Sequence, residues 1–118
     1  MDNKKFAKQL EERTLMFGVR IIQLSTKLPK TDEARVVRTQ ITKSGTSIGA
    51  NYREANRSRS KADFKNKIKI CESESSETVY WLEIIRFLKW IEGQEIDGEY
   101  KESKELLAIF TSISNNLN

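Results

Sequence analysis

Apolar residues recur along this chain at alternating steps of three and four, and the pattern falls into four stretches. In residues 4–28, Phe6, Leu10, Thr14, Phe17, Ile21, Leu24 and Leu28 share one helical face, which is the spacing of a packed seam. A second apolar row, Leu15, Val19 and Ile22, runs beside it with Met16. That stripe is wider than one buried face of a small bundle requires. Pro29 ends the stretch, because the residue before a proline disfavours the α region. The second helix is predicted over about 32–57, with Thr31 or Asp32 as its N-cap. Its seam is Ala34, Val37, Ile41, Ile48, Tyr52 and Ala55. The third is predicted over about 61–90, with Ser60 as N-cap and Asp63 in a capping-box-like position. Its seam is Phe64, Ile68, Cys71, Ser75, Thr78, Leu82 and Ile85, and its second row is Trp81, Ile84, Leu88 and Ile91. Gly93 reads as the glycine that closes this helix. The fourth is predicted over about 97–116, with Leu106, Phe110, Ile113 and Leu117 as seam and Leu107 and Ile109 flanking. Asp97, Glu99, Glu102 and Glu105 lie in its N-terminal part, where the helix dipole favours negative charge.

Short connections at 29–31, 58–60 and 93–96 force neighbouring helices to run antiparallel. Strand-like alternation is absent over useful lengths, and no linker, repeat or low-complexity run divides the chain. The expected fold is all-α, a single up-and-down four-helix bundle over residues 1–118.

The second helix carries an unusual centre, Ser44-Gly45-Thr46-Ser47-Ile48-Gly49-Ala50. Two interior glycines cost a helix roughly 1 kcal/mol each relative to alanine, so something must offset them. Close approach of a neighbouring helix is the simplest candidate and makes Gly45 and Gly49 close-packing residues. A break into two shorter helices at Ser44-Gly45 is the structural alternative. A phosphate-cradling loop is disfavoured, since neither a GxxxxGK[ST] pattern nor a strand-to-helix context accompanies the glycines.

Composition narrows the chemistry. The 118 residues are 37% hydrophobic and 32% charged, enough apolar material for one core under a heavily charged surface. No stretch approaches the roughly 18 apolar residues of a membrane span, and the opening Met1-Asp2-Asn3-Lys4-Lys5 does not resemble a secretory signal, so the expected location is cytoplasmic and off the membrane. Cys71 is the one cysteine, which excludes an internal disulfide. The absence of histidine removes the commonest general base and a frequent metal ligand. It also rules out the Glu-x-x-His pairs of a bundle diiron site. No cofactor and no metal site is expected.

Charge is unevenly placed. Residues 1–60 hold thirteen Lys and Arg against six Asp and Glu, a net of +7, and residues 61–118 hold eight against eleven, a net of −3, together the +4 of the whole chain. Up-and-down topology would gather Lys4, Lys5, Lys8, Arg53, Arg57, Arg59, Lys61, Lys65 and Lys67 at one end of the bundle. Glu11, Glu54 and Asp63 offset only part of that charge. The other end would receive Glu92, Glu95, Asp97 and Glu99 facing Lys27, Lys30 and Arg35. Lys4, Lys5, Arg53, Arg57, Arg59, Lys61 and Lys65 are therefore the candidate contacts for the phosphates of RNA or DNA. The bland alternative is a solvated surface laced with i,i+4 pairs. Glu74 and Glu77 share a side of the third helix with Trp81 and could meet Arg53 or Arg57 as a register-setting ion pair. No nucleophile, metal-ligand set or substrate-orienting group joins them, so no catalytic residue is assigned and an enzyme is not expected. Tyr52 and Trp81 could stack on bases, although aromatics at helical spacing more often belong to a core or interface. Leu15, Val19 and Ile22 with Trp81, Ile84 and Leu88 exceed what one bundle can bury inward, and they are the candidate oligomer interface.

The stretch Thr39-Gln40-Ile41-Thr42-Lys43-Ser44-Gly45-Thr46-Ser47-Ile48-Gly49-Ala50-Asn51-Tyr52-Arg53-Glu54-Ala55 resembles the signature of bacterial four-helix-bundle proteins encoded in intervening sequences of 23S ribosomal RNA genes. Phe17 with Ile21-Ile22, Leu28-Pro29-Lys30, Asp63-Phe64 and Glu77-Thr78-Val79-Tyr80-Trp81-Leu82-Glu83 match that family in the same order. The resemblance covers nearly the whole chain. It departs at Ser73-Glu74-Ser75-Ser76, where a more alanine- and lysine-rich stretch is usual, and at Gly45, where other small or polar residues are common. The resemblance implies a bundle that assembles into a ring-like homopentamer. The family is similar to the accessory protein of diversity-generating retroelements, a barrel-shaped pentamer that binds nucleic acid and assists a reverse transcriptase. It brings no recognised catalytic residues and no established molecular function. Together these readings favour a non-catalytic, oligomeric accessory protein that binds nucleic acid. A scaffold that contacts only proteins is the second reading.

Overall fold

The computed structural model describes residues 2–117. Among them the chain forms four helices, α1 (Asn3–Ser25), α2 (Asp32–Ala55), α3 (Lys61–Phe87) and α4 (Gln94–Asn115). α2 packs closely on α1 and on α3, and α3 packs on α4, while α1 and α4 approach each other at only a few points. This is the up-and-down bundle. Its long dimension of 44 Å is set by helix length and its cross-section is 26 × 21 Å.

Three helix starts are sealed by the side chain just before them. Asp2 accepts from Lys5 N at 2.7 Å, Thr31 from Ala34 N at 3.1 Å and Ser60 from Asp63 N at 3.0 Å, each satisfying an amide that the helix itself leaves unpaired. The first helix stops at Ser25, three residues short of the expected end. Arg38 of α2 reaches back over that end and donates to Pro29 O at 2.8 Å and Ser25 O at 3.3 Å. It thereby ties α2 to the backbone of the α1–α2 connection.

The α3–α4 junction departs from the expectation. Gly93 does not close α3. The left-handed position after α3 is held by Lys89 at φ 58°, with Lys89 N donating to Arg86 O and Trp90 N to Ile85 O, both at 3.1 Å. That pair of bonds is a Schellman closure, built on a lysine in place of the usual glycine. Gly93, at φ 84°, is instead the N-cap of α4. The fourth helix therefore begins at Gln94, three residues before Asp97, and its added turn buries Ile96. Ile96 lies outside the expected seam.

The predicted seams otherwise line the core. Phe17, Ile21, Leu24, Ile41, Ile48, Ile68, Leu82, Ile85, Leu106 and Phe110 are fully enclosed, and Tyr52 meets Phe110 edge-on with ring centres 5.5 Å apart. Phe6 is the exception, at 41% exposure, so the α1 seam begins at Leu10. Phe64, Ile113 and Leu117 are half-buried at its margin. Buried hydroxyls are satisfied locally or across the core: Thr14 donates to Leu10 O at 2.8 Å, Ser75 to Cys71 O at 2.8 Å and Thr78 to Ser44 Oγ at 2.8 Å. Cys71 Sγ faces Ile48 O at 3.6 Å.

α2 runs unbroken through Ser44-Gly45, and its glycines face α1. A Cβ on Gly45 would lie 2.8 Å from Ile21 Cγ2 and 3.1 Å from Ile21 Cβ and Cγ1. On Gly49 it would lie 3.1 Å from Thr14 Oγ1 and 3.2 Å from Thr14 C. Gly18 of α1 faces the same crossing, where a Cβ on it would lie 3.6 Å from Gly45 O and Thr46 Cα. The close packing gained here opposes the helix-propensity cost of the glycines.

Gly98, inside α4, faces open space, and so supplies a control. Gly45→Ala should destabilise the fold by about 1–3 kcal/mol through overpacking of the enclosed Ile21, while Gly98→Ala should stabilise it by up to about 1 kcal/mol through helix propensity. Gly49→Leu should behave like Gly45→Ala. Thermal melts that place Gly45→Ala and Gly98→Ala on the same side of the wild type would refute the close-contact role.

Candidate nucleic-acid interface

Antiparallel packing brings the start of α1, the end of α2, the α2–α3 turn and the end of α4 to one end of the bundle. Asn56 Nδ2 donates to Glu11 Oε2 at 2.9 Å, which ties the end of α2 to the early part of α1. At the α2–α3 turn, Ser58, Arg59, Ser60, Lys61 and Phe64 line a depression together with Asn116 and Leu117 from the end of α4. Lys4, Lys5, Lys8, Arg53, Arg57, Arg59 and Lys61 are exposed there, and Lys65 is half-buried. The structure thus gathers the seven candidate contacts at a common end.

Arg53 Nε lies 3.8 Å from Glu11 Oε1. Lys4, Lys5, Arg57, Arg59 and Lys61 make no ion pair among the described residues. At the other end Lys27 Nζ pairs with Glu95 at 2.6 Å, Arg35 with Asp32 at 3.1 Å and Arg86 with Asp97 at 3.9 Å, while Lys30 and Lys89 make no ion pair among the described residues. Positive side-chain charge therefore gathers where α1 and α3 begin.

Two expected polar contacts are absent. Glu74 and Glu77 pair with neither Arg53 nor Arg57 among the described residues, and Glu77 Oε2 instead accepts from Trp81 Nε1 at 3.3 Å on its own helix. Arg53 turns the other way, toward α1. Tyr52 is enclosed against Phe110, so it offers no stacking face to a base. Burial also raises its hydroxyl above the ordinary tyrosine pKa.

The candidate interface residues divide between two separate places. Leu15, Val19 and Ile22 are 51, 37 and 45% exposed. With Gly18, Thr46, Gly49 and Ala50 they line a groove between α1 and α2, rimmed by Glu11, Arg53 and Glu54. Trp81 and Ile84 are half-buried and pack against the molecule's own core, and Leu88 is exposed. The α1–α2 groove includes no residue of α3, and the backbones of α1 and α3 do not approach each other closely, so the two rows belong to different faces of the bundle. Phe87 and Tyr80, which that pattern does not single out, are 88 and 55% exposed.

Another cluster is not evident from the apolar seams. Arg13 forms a two-pronged pair with Glu102, Nε to Oε2 at 2.8 Å and Nη2 to Oε1 at 2.7 Å, and Arg20 Nε pairs with Glu99 Oε2 at 2.9 Å. The hydrogen bond to Glu102 holds the Arg13 guanidinium above its usual pKa. The signal for it is the seven-residue spacing of Arg13, Arg20 and Lys27 on one helix and the glutamates at 95, 99 and 102 on another.

Among the described residues, no group of three or more His, Cys, Asp and Glu side chains could hold a metal ion, and no helix is long and apolar enough to cross a membrane. Cys71 is enclosed, and burial pushes its thiol up to about 12. The raised value keeps the native thiol neutral while an unfolded one ionises near about 8.5. Stability from this group is complete below the unfolded pKa and is lost as pH climbs from about 9 toward 12. Native protein at pH 8 should resist a thiol-alkylating reagent and be labelled at Cys71 only as fast as it unfolds. Rapid labelling of folded protein would contradict the enclosed position.

Comparison with known proteins follows the same outline. The family model of the 23S rRNA-intervening sequence proteins matches residues 8–112. Among solved structures, the chain is similar to a protein of unknown function from the S23 ribosomal protein family of Bacteroides thetaiotaomicron VPI-5482. The two share 38% identity and a TM-score of 0.81, over 88% of this chain and 96% of the other. No curated protein matches the chain.

Proposed function

This chain belongs to the 23S rRNA-intervening sequence protein family, and we propose that it is a non-enzymatic, oligomeric accessory protein of the cytoplasm that binds RNA or DNA through its basic end. The observation that carries this reading is the gathering of exposed cations at one end of the bundle. Lys4, Lys5, Arg57, Arg59 and Lys61 converge there, exposed and without an ion pair among the described residues. Charges held in that state suit phosphate contact, which gives affinity without base readout. Binding is accordingly insensitive to nucleotide sequence and falls steeply with salt.

Arg57, Arg59 and Lys61 lie around the α2–α3 turn and are exposed, so replacing them spares the core. The triple variant Arg57→Gln, Arg59→Gln, Lys61→Gln should keep its helicity and mass. Its affinity for an RNA or DNA duplex should fall, and the salt slope should shrink by about one unit for each phosphate that is no longer engaged. An unchanged slope would move the interface elsewhere. No binding by the parent chain even at low salt would favour the second reading, a protein-contacting scaffold, which the exposed apolar row in the α1–α2 groove supports.

Assembly is the other half of the proposal. Leu15, Val19 and Ile22 form an exposed apolar row over a floor of small residues, and such patches mark interfaces. Five subunits is the number implied by the family resemblance. Light scattering should give five times the 13.7 kDa chain mass, and Leu15→Ser with Val19→Ser should lower that mass while helicity is kept. A monomer mass for the parent at micromolar concentration would refute assembly, and a closed dimer would refute only the number.

A further inference from the structure

The four seams of the bundle are closed by different means. α1 and α2 meet through glycines, with Gly45 against Ile21 and Gly49 against Thr14. α2 and α3 share the enclosed Ser44–Thr78 and Cys71–Ile48 contacts, and α3 and α4 pack closely along their length. α1 and α4 approach closely at only a few points, and a ladder of ion pairs spans their gap. Arg13, Arg20 and Lys27 stand seven residues apart and therefore recur on one face of α1 and its continuation. Antiparallel α4 presents Glu102, Glu99 and Glu95 in the matching order, at 2.7, 2.9 and 2.6 Å. Cross-links at 3.5 Å from Arg13 to Glu105 and at 3.9 Å from Arg20 to Glu102 join the rungs.

This closure is weaker than apolar packing. The cationic side chains are 37, 39 and 57% exposed, so solvent and salt screen them. The ladder also carries an internal defect, since Glu99 Oε1 is buried with no hydrogen-bond partner. An unanswered carboxylate oxygen offsets part of what its Arg20 pair contributes. Proteins open first where packing is sparse and polar bonds face water.

We propose that the α1–α4 seam is the edge along which this bundle opens, and that the Arg13–Glu102, Arg20–Glu99, Lys27–Glu95 ladder is an ionic latch set by ionic strength. When the latch loosens, α1 stays on α2 through the glycine crossing, and the core faces of α1 and α4 gain access to solvent. The device is independent of nucleic-acid binding, because its cations lie along the α1–α4 seam and none of them is among the seven at the basic end.

Hydrogen exchange of the full chain tests it, with the α2 and α3 amides as internal reference. Raising NaCl from about 0.1 M to about 1 M shortens the screening length from about 10 Å to about 3 Å. Core-facing amides in residues 13–25 and 96–110 should then lose protection by about tenfold or more relative to residues 37–52 and 68–85. The variant Arg13→Gln, Arg20→Gln, Lys27→Gln should show that pattern already at low salt and respond little to more. Should this variant fail to fold, Lys27→Glu alone should raise exchange at that rung at low salt, and the exchanged pair Lys27→Glu with Glu95→Lys, which has no cross-link to another rung, should recover the wild-type pattern. A uniform change over all four helices, or no change at high salt in the wild type, would overturn the latch.

Discussion

The close approach of α1 to α2 at Gly45 and Gly49 is the contact on which the remaining geometry depends. With hydrogen in place of a side chain at both positions, Ile21 and Thr14 settle against the α2 backbone face. That draws α1 toward α2 and away from α4, and it leaves one seam of the bundle wider than the other three. Apolar side chains cannot fill a wide, shallow seam without facing water. Long charged side chains can cross it, with their stems covering the core and their heads paired at the surface. Arg13 and Arg20 do this opposite Glu102 and Glu99. The glycines of one seam and the ion pairs of another are thus two consequences of a single off-centre packing.

The same crossing shapes the outer surface. Once Gly18, Gly49 and Ala50 form the floor between α1 and α2, Leu15, Val19 and Ile22 stand as a wall beside it and cannot turn inward. The chain keeps an apolar groove on its outside while its own core is filled by Phe17, Ile21 and Phe110. Charge follows topology in the same way. Glutamates and an aspartate near the start of α4 meet the cations of α1 and α3, whereas at the opposite end Lys4, Lys5, Arg57, Arg59 and Lys61 have no ion pair among the described residues.

Much of this is legible in the sequence because local rules govern it. Three-and-four spacing locates all four helices and nearly all of the seam, and Thr31 and Ser60 announce their capping roles through the polar residues around them. The gathering of basic residues at one end follows from helix order and short loops alone. The α3–α4 junction is not legible, because Gly93 and Lys89 compete for one role. Glycine is the better left-handed residue, yet the Schellman bonds from Lys89 and Trp90 end α3 earlier, which frees Gly93 to open α4 and bury Ile96. Phe6 has the right spacing, but the enclosed part of α1 begins at Leu10.

By itself the sequence determined which residues are helical, which face each helix buries and where net charge accumulates, because these depend on neighbours within a few residues and on chain order. Only the tertiary structure decided which charges are paired and which are left open, that Glu77 serves Trp81 and not an arginine, and that the two apolar rows are separate patches. Those outcomes depend on the distances between helix axes. The distances are set by side-chain volumes meeting across the core, with Gly45 against Ile21 the tightest of the glycine contacts, and a linear pattern of polar and apolar positions carries no measure of how far apart two helices come to rest.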